Sequence, residues 1–463
     1  MRTIMLVTLV LLTLNCISQE GKITALELNS IRKSYDKNDA ATRALTNALS
    51  NNDVVKVALD RENLGSIDHN FKYKVDVKGI SDQKKSGRCW MFTSMNVLRP
   101  MVIEKYKLAG FEFSQNYLYF WDIFEKANLY YEAQIKYAPK PMDDKHVDWL
   151  FKNPVGDGGV WSSFTNLADK YGLVPKEVFP ETNSSENTRW MIAVINTKLR
   201  EDGLELRKLY AEKVKSEKLT ARKIELLGNI YRILAMNLGE APTEFSYRFA
   251  DKDGVLGELK TYSPKSFMAE VLGNIDFTDQ IMLMNDPTRD YNKVYEIEYD
   301  RNVMEGRNWM YLNLTNAEIK KFALESIKNN KAMYASCDVG KQLNTELGFS
   351  DIDNYNVEAL YGIKFGMNKA ERIVTFESGS SHGMALIAVD VDTDEKPLKW
   401  QFENSWGATS GHSGYLTFTD EWFNEYMFRV VVNKSFIDAE TLKLLDQKPI
   451  VLPPWDPMFQ ADE

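Results

Sequence analysis

Beginning at Cys89, apolar residues recur at helical spacing: Met91, Phe92, Met95, Leu98 and Val102 form one broad stripe. A helix is therefore expected to start at the cysteine, with Pro100 kinking it or opening a new turn, because proline lacks an amide hydrogen and crowds the preceding turn. Further helices are expected over residues 114–131 and 161–171, and through 188–238. In the last stretch Ile224, Leu227, Ile230, Tyr231, Leu234 and Ala235 share a face and Gly239 offers a stop. Elsewhere the period falls to two or the apolar runs shorten. Residues 69–77 alternate around Phe71, Tyr73, Val75 and Val77, and residues 245–249 and 294–299 read as extended. After Cys337 come short apolar runs at 384–389, 398–402, 415–418 and 427–432, separated by turn residues, as strands would be. The run from Pro449 to Met458 is broken repeatedly by proline, so a tail lying extended over the surface or entering a cleft is expected.

These patterns predict an α+β chain. Residues 19–66 form an arm of helices, 67–187 a helix-rich half, 188–335 a large, mainly helical insertion, 336–448 a β-rich half and 449–463 the tail. The 463 residues, 44% of them hydrophobic, suffice for a substantial core, and the formal charge of -9 gives no general attraction to nucleic acid or an anionic membrane. Residues 1–18 read as a signal peptide: Met1-Arg2, an apolar run over 4–14 too short for an ordinary membrane span, and a small residue, Ser18, for cleavage. Export is expected, periplasmic or secreted. Cys16 also permits lipid anchoring, although Leu14-Asn15 is a poor approach to an acylated cysteine.

Chemistry narrows the field further. Only Cys16, Cys89 and Cys337 are present, so a disulfide scaffold is excluded, and a single bridge between the last two is the weaker reading. At a helix start, a Cys89 thiolate would face unpaired amides and the positive end of the dipole, which lower a cysteine pKa. A cysteine nucleophile needs a base and a group that orients it, and the only histidines are His69, His146, His382 and His412. His382, in Ser380-Ser381-His382-Gly383-Met384, sits at the edge of an apolar strand among small residues. By itself it reads more readily as a hydrogen-bonded structural histidine. Asn404, in Glu403-Asn404-Ser405-Trp406-Gly407, follows another strand; its carbonyl could fix an imidazole tautomer beneath Trp406, or it is a turn asparagine beside a core tryptophan. Gln83, six residues before Cys89, could donate to an oxyanion together with the Cys89 amide, or be a loop glutamine. Gly156-Asp157-Gly158-Gly159 lacks both the Rossmann spacing and a Walker lysine, and no His-Glu-x-x-His occurs to suggest zinc hydrolysis.

Taken in order, Gln83-Lys-Lys-Ser-Gly-Arg-Cys89-Trp90, Ser381-His382-Gly383-Met384 and Glu403-Asn404-Ser405-Trp406-Gly407 resemble papain-like cysteine peptidases. With Lys170-Tyr-Gly-Leu-Val-Pro175, Cys337-Asp-Val-Gly340, Asn368-Lys-Ala-Glu-Arg372 and Trp455-Asp-Pro-Met458, the chain resembles the bleomycin hydrolase and bacterial aminopeptidase C branch over residues 60–458. The resemblance implies Cys89 as nucleophile, His382 as general base and acid, Asn404 as its orienter, Gln83 as oxyanion donor, Cys337 as a buried free thiol, and no metal or organic cofactor. It further implies a homohexamer acting on peptides with free N-termini, selected by the terminal carboxylate of a tail in the cleft. Here the tail departs from the family's glycine- and alanine-rich end: Phe459-Gln460-Ala461-Asp462-Glu463 is bulkier, and Asp462 and Glu463 bring extra negative charge. If such a tail fails to close the cleft, an endopeptidase of the same fold is the alternative. A catalytically silent hexameric scaffold is the alternative from outside enzymology.

Overall fold

A computed structural model of the chain describes residues 21–66 and 68–459. The signal-peptide reading of 1–18, with Cys16, and the tail carboxylates Asp462 and Glu463 lie outside the described residues. The chain divides into two compact units.

The smaller unit combines the described residues up to Leu59 with Tyr355–Lys364. Its helices, Ala25–Arg32, Ala40–Asn51, Val54–Ala58 and Val357–Tyr361, are short and mostly exposed. Their ends are well made. Thr24 and Glu27 form a reciprocal capping box, and Asp39 and Asp53 accept from first-turn amides. The Asn356 amide donates to the Ala58 carbonyl at 2.8 Å, joining the two stretches of chain. The arm expected over 19–66 thus ends at Leu59 and recruits residues 355–364, a pairing between distant segments that periodicity does not reveal.

The larger unit, residues 60–354 and 365–459, holds everything that concerns chemistry. Its helices include Cys89–Tyr106, Gln115–Lys136, Trp161–Tyr171, Arg189–Ala211 and Ser216–Leu238. The first begins at Cys89, as the stripe predicts, and runs on through Pro100 instead of restarting there. A twelve-stranded sheet runs from Ile450–Leu452 through Lys293–Ile297, Met310–Asn313, Gln280–Met284, Met427–Asn433 and Met333–Cys337 to the long strand His382–Val391. It continues through Pro397–Glu403, Tyr415–Thr419 and Phe349–Ser350 to Leu343–Asn344, while Tyr73–Lys74 pairs on the side with His382–Val391. The strand from His382 is apolar without alternation because the Cys89 helix packs against it together with the helix Asn316–Lys328. Met384 through Val389 are all buried. Mixed helices and sheet in this arrangement are the α+β class expected from the pattern.

The block 188–335 is helical chiefly in its first half. Its second half gives the strands Gln280–Met284, Lys293–Ile297 and Met310–Asn313 to the main sheet, so it does not form a separate helical lobe. The proline-rich tail is extended as expected but not loose: Ile450–Leu452 pairs in parallel with Lys293–Ile297, and Asp456 forms an ion pair with Arg289. No described helix is long and apolar enough to cross a membrane. Cys337 is a buried free thiol, its pKa pushed well up by burial.

Candidate active site

Cys89 occupies the first position of its helix. Arg88, just before it, is buried, donates to Glu181 at 3.2 and 2.9 Å, and lies over the rings of Phe92 and Tyr119. A bidentate, stacked guanidinium of this kind fixes the chain direction at the helix entry. The segment upstream is tied to the β-rich half. The Gln83 amide donates to the Ser405 carbonyl at 2.8 Å, Asp82 bridges to Trp406, and the Gly407 amide donates to the Ser81 carbonyl at 3.1 Å. The Gln83 side chain is buried: its Oε1 accepts from the Ser405 hydroxyl at 2.6 Å and its Nε2 donates to the Ser86 carbonyl at 2.6 Å. An amide nitrogen carries two hydrogens, so one remains for another acceptor.

His382 opens the long strand opposite Cys337, and the Ser381 amide donates to the Cys337 carbonyl at 3.0 Å, setting the backbone direction. Its Nε2 lies 2.8 Å from Asn404 Oδ1. The Ser405 amide also reaches that oxygen, at 2.8 Å. Since a backbone N–H can only donate, the atom it meets must be the carbonyl oxygen of Asn404, and Nε2 of His382 must therefore carry the proton of their hydrogen bond. The tautomer at Nε2 is thus set by the chain itself. Trp406 stacks obliquely on the imidazole, with ring centroids 4.8 Å apart. One residue beyond the histidine, the Gly383 amide points at Cys89 Sγ from 3.4 Å.

Gln83, Cys89 and His382 line one cavity of about 530 Å³. The glycine loop forms part of its wall and serves packing, not phosphate. Trp90 Nε1 donates to the Asp157 carbonyl at 2.7 Å, and a Cβ on Gly159 would stand 2.6 Å from the Trp90 indole. Trp90 is buried next to Cys89 and cannot retreat. Gly159→Ala should therefore cost about 1–3 kcal/mol of stability and lower kcat/KM. A melting curve and a rate measured on the same preparation check both, and an unchanged pair would contradict the packing argument.

The other histidines lie elsewhere. His69 and His412 stack on each other at 4.0 Å, with His69 beside Thr417, and His146 contacts Tyr137, Glu298 and Trp455. Three partners escaped the sequence reading. Ser405 braces both Gln83 and Asn404. The backbone amide of Gly383 meets the thiol. Glu403, preceding Asn404, pairs with Arg99 of the Cys89 helix at 2.7 Å with both side chains buried. Burial outweighs the pull of Arg99 and lifts the Glu403 carboxyl to about 7.

The model of the peptidase C1-like family matches residues 22–459. Aminopeptidase C of Lactobacillus delbrueckii subsp. lactis is 40% identical over 417 residues, covering 89% of this chain and 92% of its own. Human bleomycin hydrolase is 38% identical over 422 residues, covering 89% of this chain and 93% of its own. The crystal structure of PepW from Lactobacillus rhamnosis superposes with a TM-score of 0.92 at 36% identity, covering 96% of this chain and 100% of that one.

Proposed function

This chain belongs to the peptidase C1-like family and is a cysteine peptidase, and from that premise we propose that it removes residues from peptide N-termini through Cys89, His382 and Asn404. Cys89 Sγ attacks the scissile carbonyl while its proton resides on His382 Nδ1. The tetrahedral oxyanion takes hydrogen bonds from the Gln83 side-chain amide and the Cys89 backbone amide. As the C–N bond breaks, protonated His382 gives its proton to the departing amine, leaving a thioester. Water, deprotonated by the same imidazole, then releases the acid and the thiol. Asn404 takes no proton at any step; it holds the ring.

The observation that carries this reading is the hydrogen bond from His382 Nε2 to an Asn404 oxygen whose identity the Ser405 amide dictates. Relatives named aminopeptidase C support the exopeptidase direction. We extend the proposal to the features carried over by resemblance: selection of the free amine by the chain end with Asp462 and Glu463, assembly as a homohexamer, and export directed by residues 1–18.

Peptide amides with a free and with an N-acetylated terminus form the test. The intact protein should cleave the free-amine substrates and spare the acetylated ones, and equal cleavage of both would point to an endopeptidase. A thiol-directed peptide electrophile should label the protein at Cys89 and fail to label Cys89→Ser. Absence of labelling on a reduced sample would favour the silent scaffold.

A further inference from the structure

The cavity that holds Cys89 and His382 is also lined by two aspartates, Asp157 and Asp300. Asp157 is fully used. It accepts from the Gly87 amide at 3.1 Å, from the Tyr119 hydroxyl at 2.8 Å and from the Thr188 hydroxyl. Asp300 differs. Its backbone is fixed, the amide donating to the Ile297 carbonyl at 3.3 Å and the carbonyl accepting from Trp309 at 2.8 Å. Its carboxylate, by contrast, makes no hydrogen bond or ion pair with any described residue.

The neighbouring cations are committed elsewhere. Lys126 Nζ is spent on Asp122 and on the carbonyls of Gly156 and Gly158 at 2.6–2.8 Å. Arg429 lies flat on Trp309 at 3.9 Å. Neither is ion-paired with Asp300; burial, the larger effect, outweighs their pull and holds its carboxyl up at about 6, so it is mainly ionised at neutral pH. Tyr334 lines the same cavity as Asp300 and the thiol. The phenol, whose pKa is raised first by burial, feels the charges of both Cys89 and Asp300, and its oxygen is 3.3 Å from where a Cβ of Gly383 would stand. Gly383 in turn donates to Cys89 Sγ. Thiol, Gly383, Tyr334 and Asp300 all line the one cavity.

Resting on the cysteine-peptidase reading above, we propose that Asp300, on the cavity it shares with Tyr334, is a specificity-determining subsite that accepts a positively charged nitrogen of the substrate. An ionised carboxylate in a desolvated wall, without a protein cation in contact, gains a charge-assisted hydrogen bond when an ammonium or guanidinium arrives. Two sources offer that chemistry: the free α-ammonium of the substrate and a lysine or arginine side chain.

The test compares wild type with Asp300→Asn on alanyl amides with free and acetylated termini, and on acetylated lysyl and norleucyl amides. Asn keeps the size and removes the charge. The preference for the cationic member of one pair should fall by about tenfold or more, chiefly through KM, while alkylation of Cys89 by iodoacetamide keeps its rate. Loss confined to the first pair assigns the α-ammonium, and loss confined to the second assigns the side chain. Both preferences unchanged within twofold would overturn the proposal. A second measurement needs neither turnover nor a folded variant. In wild type, n-butylammonium should slow alkylation of Cys89 at concentrations where n-butanol does not, and equal effects of the two would overturn the inference. Cleavage of no substrate, with protection by the ammonium intact, would instead count against the aminopeptidase reading alone.

Discussion

Exchange of Cys89 for alanine should reduce kcat by about 10⁶-fold and leave the melting temperature nearly unchanged. The side chain is only partly buried, and the Gly383 amide reaches it from 3.4 Å. Loss of His382 should cost as much, because the thiol then has no partner for its proton. Asn404→Ala should cost less, since the imidazole survives but loses the hydrogen bond that fixes its tautomer. Residues acting as one unit are not additive: adding Asn404→Ala to Cys89→Ala should remove nothing further. Single-turnover and steady-state rates for the three single variants and the double variant check this. A double variant much worse than Cys89→Ala would mean that Asn404 acts through something other than the histidine.

The second large effect concerns stability. Arg99 donates to Glu403 Oε1 at 2.7 Å, to the Gly79 carbonyl at 2.9 Å and to Asn96 Oδ1 at 3.2 Å. It sits on the helix that starts with Cys89, and Glu403 directly precedes Asn404, so the pair spans the two halves of the catalytic apparatus. Arg99→Met should destabilise by about 3–5 kcal/mol, because a buried carboxylate loses its counter-charge, and kcat/KM should fall with it. Glu403→Gln should be milder and informative through pH. Burial raises the folded-state carboxyl from its ordinary 4.5 to about 7. A raised carboxyl contributes stability that is fully present below the unfolded value and is lost as pH climbs through the folded one. The melting temperature of wild type relative to Glu403→Gln should therefore decline between about pH 4.5 and 7. A flat difference across that window would show that Glu403 stays ionised throughout.

The elements that carry chemistry were legible because they rest on local signals. The stripe from Met91 to Val102 marks a helix start at Cys89, and the unbroken run after His382 marks a buried strand. The order of Gln83, Cys89, His382 and Asn404 identifies the family, and the structure brings Gln83, Cys89 and His382 to one cavity, with Asn404 bonded to the histidine. What stayed hidden is non-local. Nothing in 280–284 or 310–313 announces that the first pairs with Met427–Asn433 and the second with the first, since a short apolar run can be strand or helix until its neighbours are known. The strand at Ile450–Leu452 was masked by the prolines around it. A parallel edge position tolerates such flanks where a central one would not. Asp300 could not have been singled out among 66 acidic residues, because its distinction is the absence of a partner among the described residues, which only packing reveals.

The contact between the Gly383 amide and the Cys89 thiol joins residues 294 positions apart in the chain. At synthesis rates of about 5–20 residues per second, a nascent chain carries Cys89 for roughly 15–60 s before His382 and Gly383 have been made. Throughout that interval the ribosome-bound chain carries the proposed nucleophile without its proposed base, and on this proposal it gains the power to cut peptides only after His382 has been made.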